Sequence, residues 1–436
     1  MKWKKAVSLA LIGTMMASLA GCGSTGGGTS DQAADSGTQE RTIKVMTIWN
    51  EDVQGGTQTL KALSDEYCAE HPEITVEIEV VAQTDMPSRL SVLAASGELP
   101  DLFIATDTAQ SATFYEQGLI YSVDDFLEEN GIQDIISEST RQGLINVQAA
   151  EGDELYTLST EQNIEGFWYN KQMFEENGWE VPETMDEFMA ICEDAVSKGI
   201  QPLSVDGMDK FYFTRLWGGY VTSKLGVDAL INANAGEQSF SDPTFLEAYQ
   251  WVQDLNTNGY MGEGVTTIDS STMNSMFLTG GAAMEYNGSW VTSNLTIEED
   301  NQLGENVGFF GFPSVDDAVA DQNDYCQNYG TAWVIGSNNY DDALNDWLVY
   351  VFSGYGDKSM ETQGMLSGFE MKEEHEMPYY TQRVVDLIAE AGEAAVWPEY
   401  KMETEAMQTS LDNSQLLILG EMTPEDYGAS LDAFYE

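Results

Sequence analysis

Histidine and cysteine are nearly absent: the 436 residues hold two His and four Cys. The histidines stand apart, His71 beside Pro72 and His375 in a charged stretch. That leaves no clustered His/Cys metal set and argues against a Ser-His or Cys-His nucleophile. Apart from Cys22, the cysteines Cys68, Cys192 and Cys326 allow one disulfide but no framework of bridges. Cys68 and Cys192 fall inside helix-like patterns and read as small buried hydrophobes. Basic residues are scarce too: 17 Lys and Arg face 74 Asp and Glu, a net charge of −57. Nucleic acid and anionic lipid headgroups are poor partners for such a chain. The acids are spread along the chain and read as a solvated surface, with a cationic ligand as the sharper alternative. There is no GxxxxGK[ST] phosphate loop and no GxGxxG after a strand, so no cofactor or metal is expected. Hydrolysis by a carboxylate pair is not excluded this way, because acids are everywhere.

Apolar runs of membrane length are also missing. The run at residues 6–20, "AVSLALIGTMMASLA", follows the basic "MKWKK" and precedes "GC". It is too short and wrongly flanked for a stable span and reads as a secretory signal. The "LAGC" at Leu19 to Cys22 resembles the bacterial lipoprotein signal, which implies acylation of Cys22 and removal of residues 1–21. Residues 22–41 have a Gly/Ser/Thr/Asp/Gln composition with no apolar face, a tether that spans roughly 25 Å as a flexible coil. The folded part is expected to begin near Arg41, and it is long enough for two domains.

From there strands and helices alternate. "TIKVMTIW" at 42–49 is β-branched, and "TQTLKALSDEYCAEHP" carries Leu60, Leu63, Tyr67 and Cys68 as a helical stripe ended by Pro72. "ITVEIEVV" at 74–81 alternates as a strand, "MPSRLSVLAASGELP" is a helix ending near Gly97, and "DLFIAT" is a third strand. This βαβαβ order predicts a parallel sheet with right-handed crossovers, and ligand beyond the carboxyl ends of its strands. Trp49-Asn50-Glu51-Asp52 and Thr106-Asp107 fall at that end.

Six segments, in order, carry a resemblance. They are "AASGELPDLFIATD", "FYEQGLIYSVDDFL", "ELYTLSTEQNIEGFWYNKQMFEENGWEVPETMDEF", "FLTGGAAMEYNGSW", "ENVGFFGFP" and "YGTAWVIGSN". Together they resemble the extracellular solute-binding proteins of bacterial ABC importers, in the oligosaccharide-binding branch that includes maltose-binding protein. The resemblance runs from about residue 42 to the C terminus. It implies an α/β, two-lobe periplasmic-binding-protein-like fold (type II), with the ligand cleft between lobes joined by a multi-crossing hinge. The first lobe would take 42–159 plus 329–373 and the second 160–328 plus 374–436. The crossings are expected near Ser159, Asn328 and Lys372. The implied function is non-enzymatic. A monomeric lipoprotein on the outer face of the bacterial cytoplasmic membrane would bind an oligosaccharide and deliver it to permease subunits. Two alternatives stay open: a binder of the same fold for a cationic solute such as a polyamine, and a surface glycoside hydrolase.

A sugar offers apolar C–H faces to aromatic planes and hydroxyls to carboxylates and amides. Trp290, after the expected Asn287-Gly288 turn of "NGSW", matches the stacking tryptophan of the family. Asp107 matches its hydroxyl-binding acid at a strand end. Glu161 lies where the family often has an acid near a crossing, with Asn163 as fallback. Of Trp49, Asn50 and Glu51 after the first strand, at least one should touch ligand. Tyr212 in "KFYFTRLW" matches a loop aromatic, and Trp397 stands where a second-lobe aromatic can occur. Trp333 replaces the family's small residues in "GTAWVIG" and is either an added platform or strand core. Trp347, Trp251 and Trp168 read as packing residues, Trp179 as surface packing of a lobe, and Trp217 is undecided.

Overall fold

In the computed structural model, residues 40–50, 55–149, 152–297, 299–315 and 318–435 are described. The signal, Cys22, nearly all of the tether and Glu51 lie outside them.

Two sheets organise the chain. The first has the order β2-β1-β3-β9, with β1 (Arg41–Thr47), β2 (Ile74–Val80) and β3 (Leu102–Ala105) parallel and β9 (Ala332–Ile335) antiparallel at the edge. Its three parallel strands and the helices Gly56–Glu70 and Met86–Ser96 follow the hydrophobic pattern of the sequence to within two residues. The first of these helices buries Leu60, Leu63 and Tyr67, the stripe that the 3.6-residue period requires. The second sheet runs β5-β6-β4-β7, from β4 (Asn163–Asn170), β5 (Gln201–Ser204), β6 (Ala282–Gly288) and β7 (Val307–Phe310), with β8 (Cys326–Asn328) also paired to β4. β4 is antiparallel to all its partners, while β5 and β6 are parallel. β4 is buried along nearly its whole length, and it takes the polar side chains of Asn163, Glu165 and Asn170 into the interior with its apolar ones.

The hydrophobic cores separate along the same line. Those around the first sheet draw on residues 43–158 and 333–369. Those around the second draw on 164–325 and 380–431. Trp347 and Trp217 are fully buried, one on each side, and Trp168 and Trp251 are buried in the second. Cys68, Cys192 and Cys326 are free thiols, and Cys68 is only half-buried.

The chain passes between the two cores three times, and the passages are stitched together. The Ser159 hydroxyl lies 2.8 Å from the Glu161 carbonyl, 3.2 Å from that of Tyr329 and 2.7 Å from that of Ser367. Gln162 N–H donates to the Leu366 carbonyl, and Thr160 N–H to that of Tyr329. Gly368 has φ +78°, and a Cβ there would stand 2.4 Å from Ser159 Oγ. Only glycine satisfies both that backbone conformation and that approach.

The Asn287-Gly288 turn expected from the sequence does not form. Both residues belong to β6 and are paired with β4, and a 3-10 turn begins only at Ser289. Pairing with β4 overrides the local turn preference of the dipeptide.

Candidate ligand cleft

β1 and β3 run parallel, so both deliver their next residues to one edge of the first sheet. Trp49 follows β1 there, and Thr106 follows β3. Across from them stands the start of the helix Phe211–Leu225. Lys210, just before it, adopts φ 64° and ψ −38°. Lys401, next to Tyr400, has φ 62°, and these are the two non-glycine residues of positive φ among those described. Such backbone is disfavoured for a side chain bearing a Cβ and concentrates at binding sites. Lys401 N–H also donates to Thr108 Oγ1 at 3.1 Å, a direct link between the two walls.

The cleft between the walls has a volume of about 380 Å³. Trp49 and Gln83 line it from the first lobe, Glu161, Asn328 and Gly330 from the crossings, and Phe211, Tyr212, Asn274, Trp290, Asn294 and Trp397 from the second. Trp49 packs against Gly55 and Gly56. The Trp290 ring lies back across Gly288, where a Cβ would stand 2.0 Å from a ring carbon. Glycine at that position lets the indole lie flat on the strand end. The Tyr212 hydroxyl donates to Asn287 Oδ1 at 3.2 Å, and its ring stacks on Phe211 with centroids 4.3 Å apart.

At the cleft floor sits Arg215. Its guanidinium carbon is 3.9 Å from the centroid of Phe211 and 3.7 Å from that of Trp397. Nη1 meets Glu165 Oε1 at 3.2 Å, an oxygen that also accepts from the Trp397 indole N–H and from Asn328. Burial opposes the Arg215 charge, but Glu165 and Glu399 outweigh it and raise its pKa. Burial pushes the Glu165 carboxyl up to about 7, with Arg215 and Trp397 holding it back. Glu161 is also pushed up to about 7 by burial, moderated by the Asn163 amide 2.7 Å from its Oε2. Among the described residues no group of three or more His, Cys, Asp or Glu side chains is placed to hold a metal ion.

Of the residues expected from the sequence, the structure brings Trp49, Glu161, Tyr212, Trp290 and Trp397 to the cleft wall. Asn50 is exposed and outside that wall, and Glu51 lies outside the described residues. Asp107 is buried as the N-cap of the helix Thr108–Glu116, with Oδ1 accepting from Gln110 N–H at 2.9 Å. Its neighbours Thr106 and Thr108 face ligand space instead. Trp333 is strand core: it is fully buried, and its indole N–H donates to the Tyr355 hydroxyl at 3.2 Å. It has no face left for a ligand. Phe211 and Arg215 were not singled out by sequence reasoning. The available signal was an Arg four residues after an aromatic on one helix, hence on the same face, inside an otherwise apolar stretch.

Two α/β lobes, three crossings and an aromatic-walled cleft between them define a solute-binding protein. Comparison agrees with this reading: residues 50–353 match the family described as bacterial extracellular solute-binding proteins. The chain belongs to that family. It is 24% identical over 325 residues to the multiple sugar-binding protein of Streptococcus mutans, covering 72% of this chain and 70% of that one. Among solved structures, a chitin oligosaccharide binding protein superposes with a TM-score of 0.80 at 21% identity, covering 91% of this chain and 98% of the other. The binding protein RafE in complex with raffinose gives 0.68 at 19% identity, covering 91% and 98%. At these identities the structures show the shared fold. Among the described residues no helix is long and apolar enough to cross a membrane.

Proposed function

We propose that the protein captures an oligosaccharide in the cleft and delivers it to the permease of an ABC importer, without chemical change to the sugar. The observation that carries this is the pairing of aromatic planes with neutral amides and hydroxyls on facing walls. Trp49 is on one lobe, Trp290 and Trp397 with Asn274 and Asn294 are on the other, and Asn328 is at a crossing. Such a lining serves both the C–H faces and the hydroxyl rim of a pyranose. The names of the similar proteins point to the same ligand class.

The lobe boundaries proposed are 42–159 with 329–373 and 160–328 with 374–436, a division that the separate cores support. The membrane anchor is proposed to be a lipid on Cys22, supported by the leader and tether in the sequence. The protein acts as a monomer on the outer face of the membrane.

A polyamine fits this cleft less well, because the aromatic slot suited to a cation is already filled by Arg215 between Phe211 and Trp397. The test is a thermal-shift panel of oligosaccharides and polyamines on residues 41–436. A sugar present at a hundred times its Kd should stabilise the protein by about 2.7 kcal/mol. Stabilisation by polyamines alone, weakening with salt, would overturn the reading.

A further inference from the structure

Behind Arg215, Phe211 and Trp397, which also line the main cleft, the space continues into a smaller chamber of about 90 Å³. Its character changes there. Leu144, Val147, Tyr156 and Ala332 form one wall, and Met407 and Leu411 form the other. Its polar groups are hydroxyls and amides together with the ionisable Asp209, Arg215 and Glu399. Two of them, the hydroxyls of Thr106 and Thr331, are buried and have no hydrogen-bond partner.

This lining is wrong for an ordinary sugar ring edge. Hydroxyls pressed against Leu144 and Met407 would lose water and gain nothing in return. The lining sets a charged ammonium against an apolar wall that disfavours it, with the carboxyls of Asp209 and Glu399 as its counter-charges. It suits a group that is apolar at its tip and amide-like at its base. A methyl fills the space beside Leu144, Val147 and Leu411, and an amide supplies one acceptor and one donor for the unpartnered hydroxyls, each of which can both donate and accept.

We propose that the chamber is a subsite for an acetamido group, and that the ligand is an oligosaccharide containing an N-acetylated sugar residue. The inference rests on the reading of the cleft as a sugar site and adds the substrate class to it. The chamber shares Phe211, Arg215 and Trp397 with the cleft, so a sugar held in the cleft beside them would point its substituent inward.

Matched ligands test this by calorimetry on the wild-type protein. The pairs are chitobiose against cellobiose and N-acetyllactosamine against lactose, with de-N-acetylated chitobiose as the charged control. In at least one pair the acetylated sugar should bind about tenfold or more tightly, the discrimination typical of a filled apolar pocket. The de-N-acetylated sugar should bind more weakly than the acetylated one. Val147→Thr, which keeps the shape of the side chain and adds a hydroxyl to the wall, should reduce the ratio within the pair. The inference is overturned if hydroxylated members bind as well as acetylated ones, or if the ratio is unmoved in Val147→Thr. Failure of every carbohydrate, here and in the panel, would instead remove the sugar reading itself, and this inference with it.

Discussion

Trp290 and Trp333 make a controlled pair, because the structure gives two tryptophans opposite surroundings. Trp333 is wholly enclosed in the first lobe, with its indole N–H satisfied by Tyr355. Truncation to Ala removes buried area and leaves a cavity, and such changes cost about 3–5 kcal/mol. For a lobe of this size that lowers the melting temperature on the order of 10 °C. Sugar affinity should hardly move, since no atom of Trp333 lines the cleft. Trp290 lies on Gly288 with its other face toward the cleft. Part of its area is therefore still wet in the free protein and is desolvated only when ligand arrives. Trp290→Ala should shift the apo melting temperature by a few degrees at most. Affinity should fall by about ten- to a hundredfold, from the ~1–3 kcal/mol that an aromatic face gains on covering apolar C–H surface. Scanning calorimetry of both apo variants, with titration of the best sugar from the panel, separates the two cases. If Trp290→Ala destabilises the free protein as much as Trp333→Ala and leaves affinity intact, the cleft assignment of Trp290 is wrong.

Two further outcomes are expected. Burial pushes the carboxyls of Glu161 and Glu285 up to about 7 and about 8, whereas in the unfolded chain they release their protons near pH 4.3. The folded state therefore holds more protons in between, and stability should decline as pH rises from about 5 to 8. Chemical denaturation of Glu285→Gln should show a flatter profile across that window than wild type, and a steeper one would contradict the assignment. Cys22→Ala should leave folding and affinity intact but release the protein from membranes, so retention after a salt wash would rule out the lipid anchor.

The parallel half of the first sheet was readable because each of its elements is self-contained. β1, β2 and β3 and the two helices between them carry their periodicity within about fifteen residues, and no distant partner is needed to see it. The Asn287-Gly288 misreading is the counterexample. Locally the dipeptide favours a turn, but Asn287 pairs with Gly166 and Gly288 with Glu165, so strand geometry prevails. The side-chain amide then serves the interior, donating to Glu285 and Asn274 and accepting from Tyr212. A residue type that signals chain reversal is here a buried connector, and only the fold reveals which.

The cleft was half legible for a related reason. Trp290, Trp397 and Glu161 were accessible as single residues at characteristic places, whereas Arg215 acquires its role only from partners far away in sequence. Glu165 comes from β4, and Trp397 and Glu399 come from the segment before the last helices. That arrangement also answers the question posed by the acidic composition. The excess of carboxylates suggests a cationic ligand as long as the cations of the protein are left out of the count. In the structure, Arg215 is paired with Glu165 and also feels the charge of Glu399, and its planar guanidinium occupies the gap between two rings where a ligand cation would sit. Glu161 is held by the Asn163 amide rather than by a cation, which leaves it able to accept from a hydroxyl. With Arg215 seated between two rings and paired with Glu165, the cleft can select a neutral ligand by shape, stacking and hydrogen bonds, although Asp209 and Asp300 also line it.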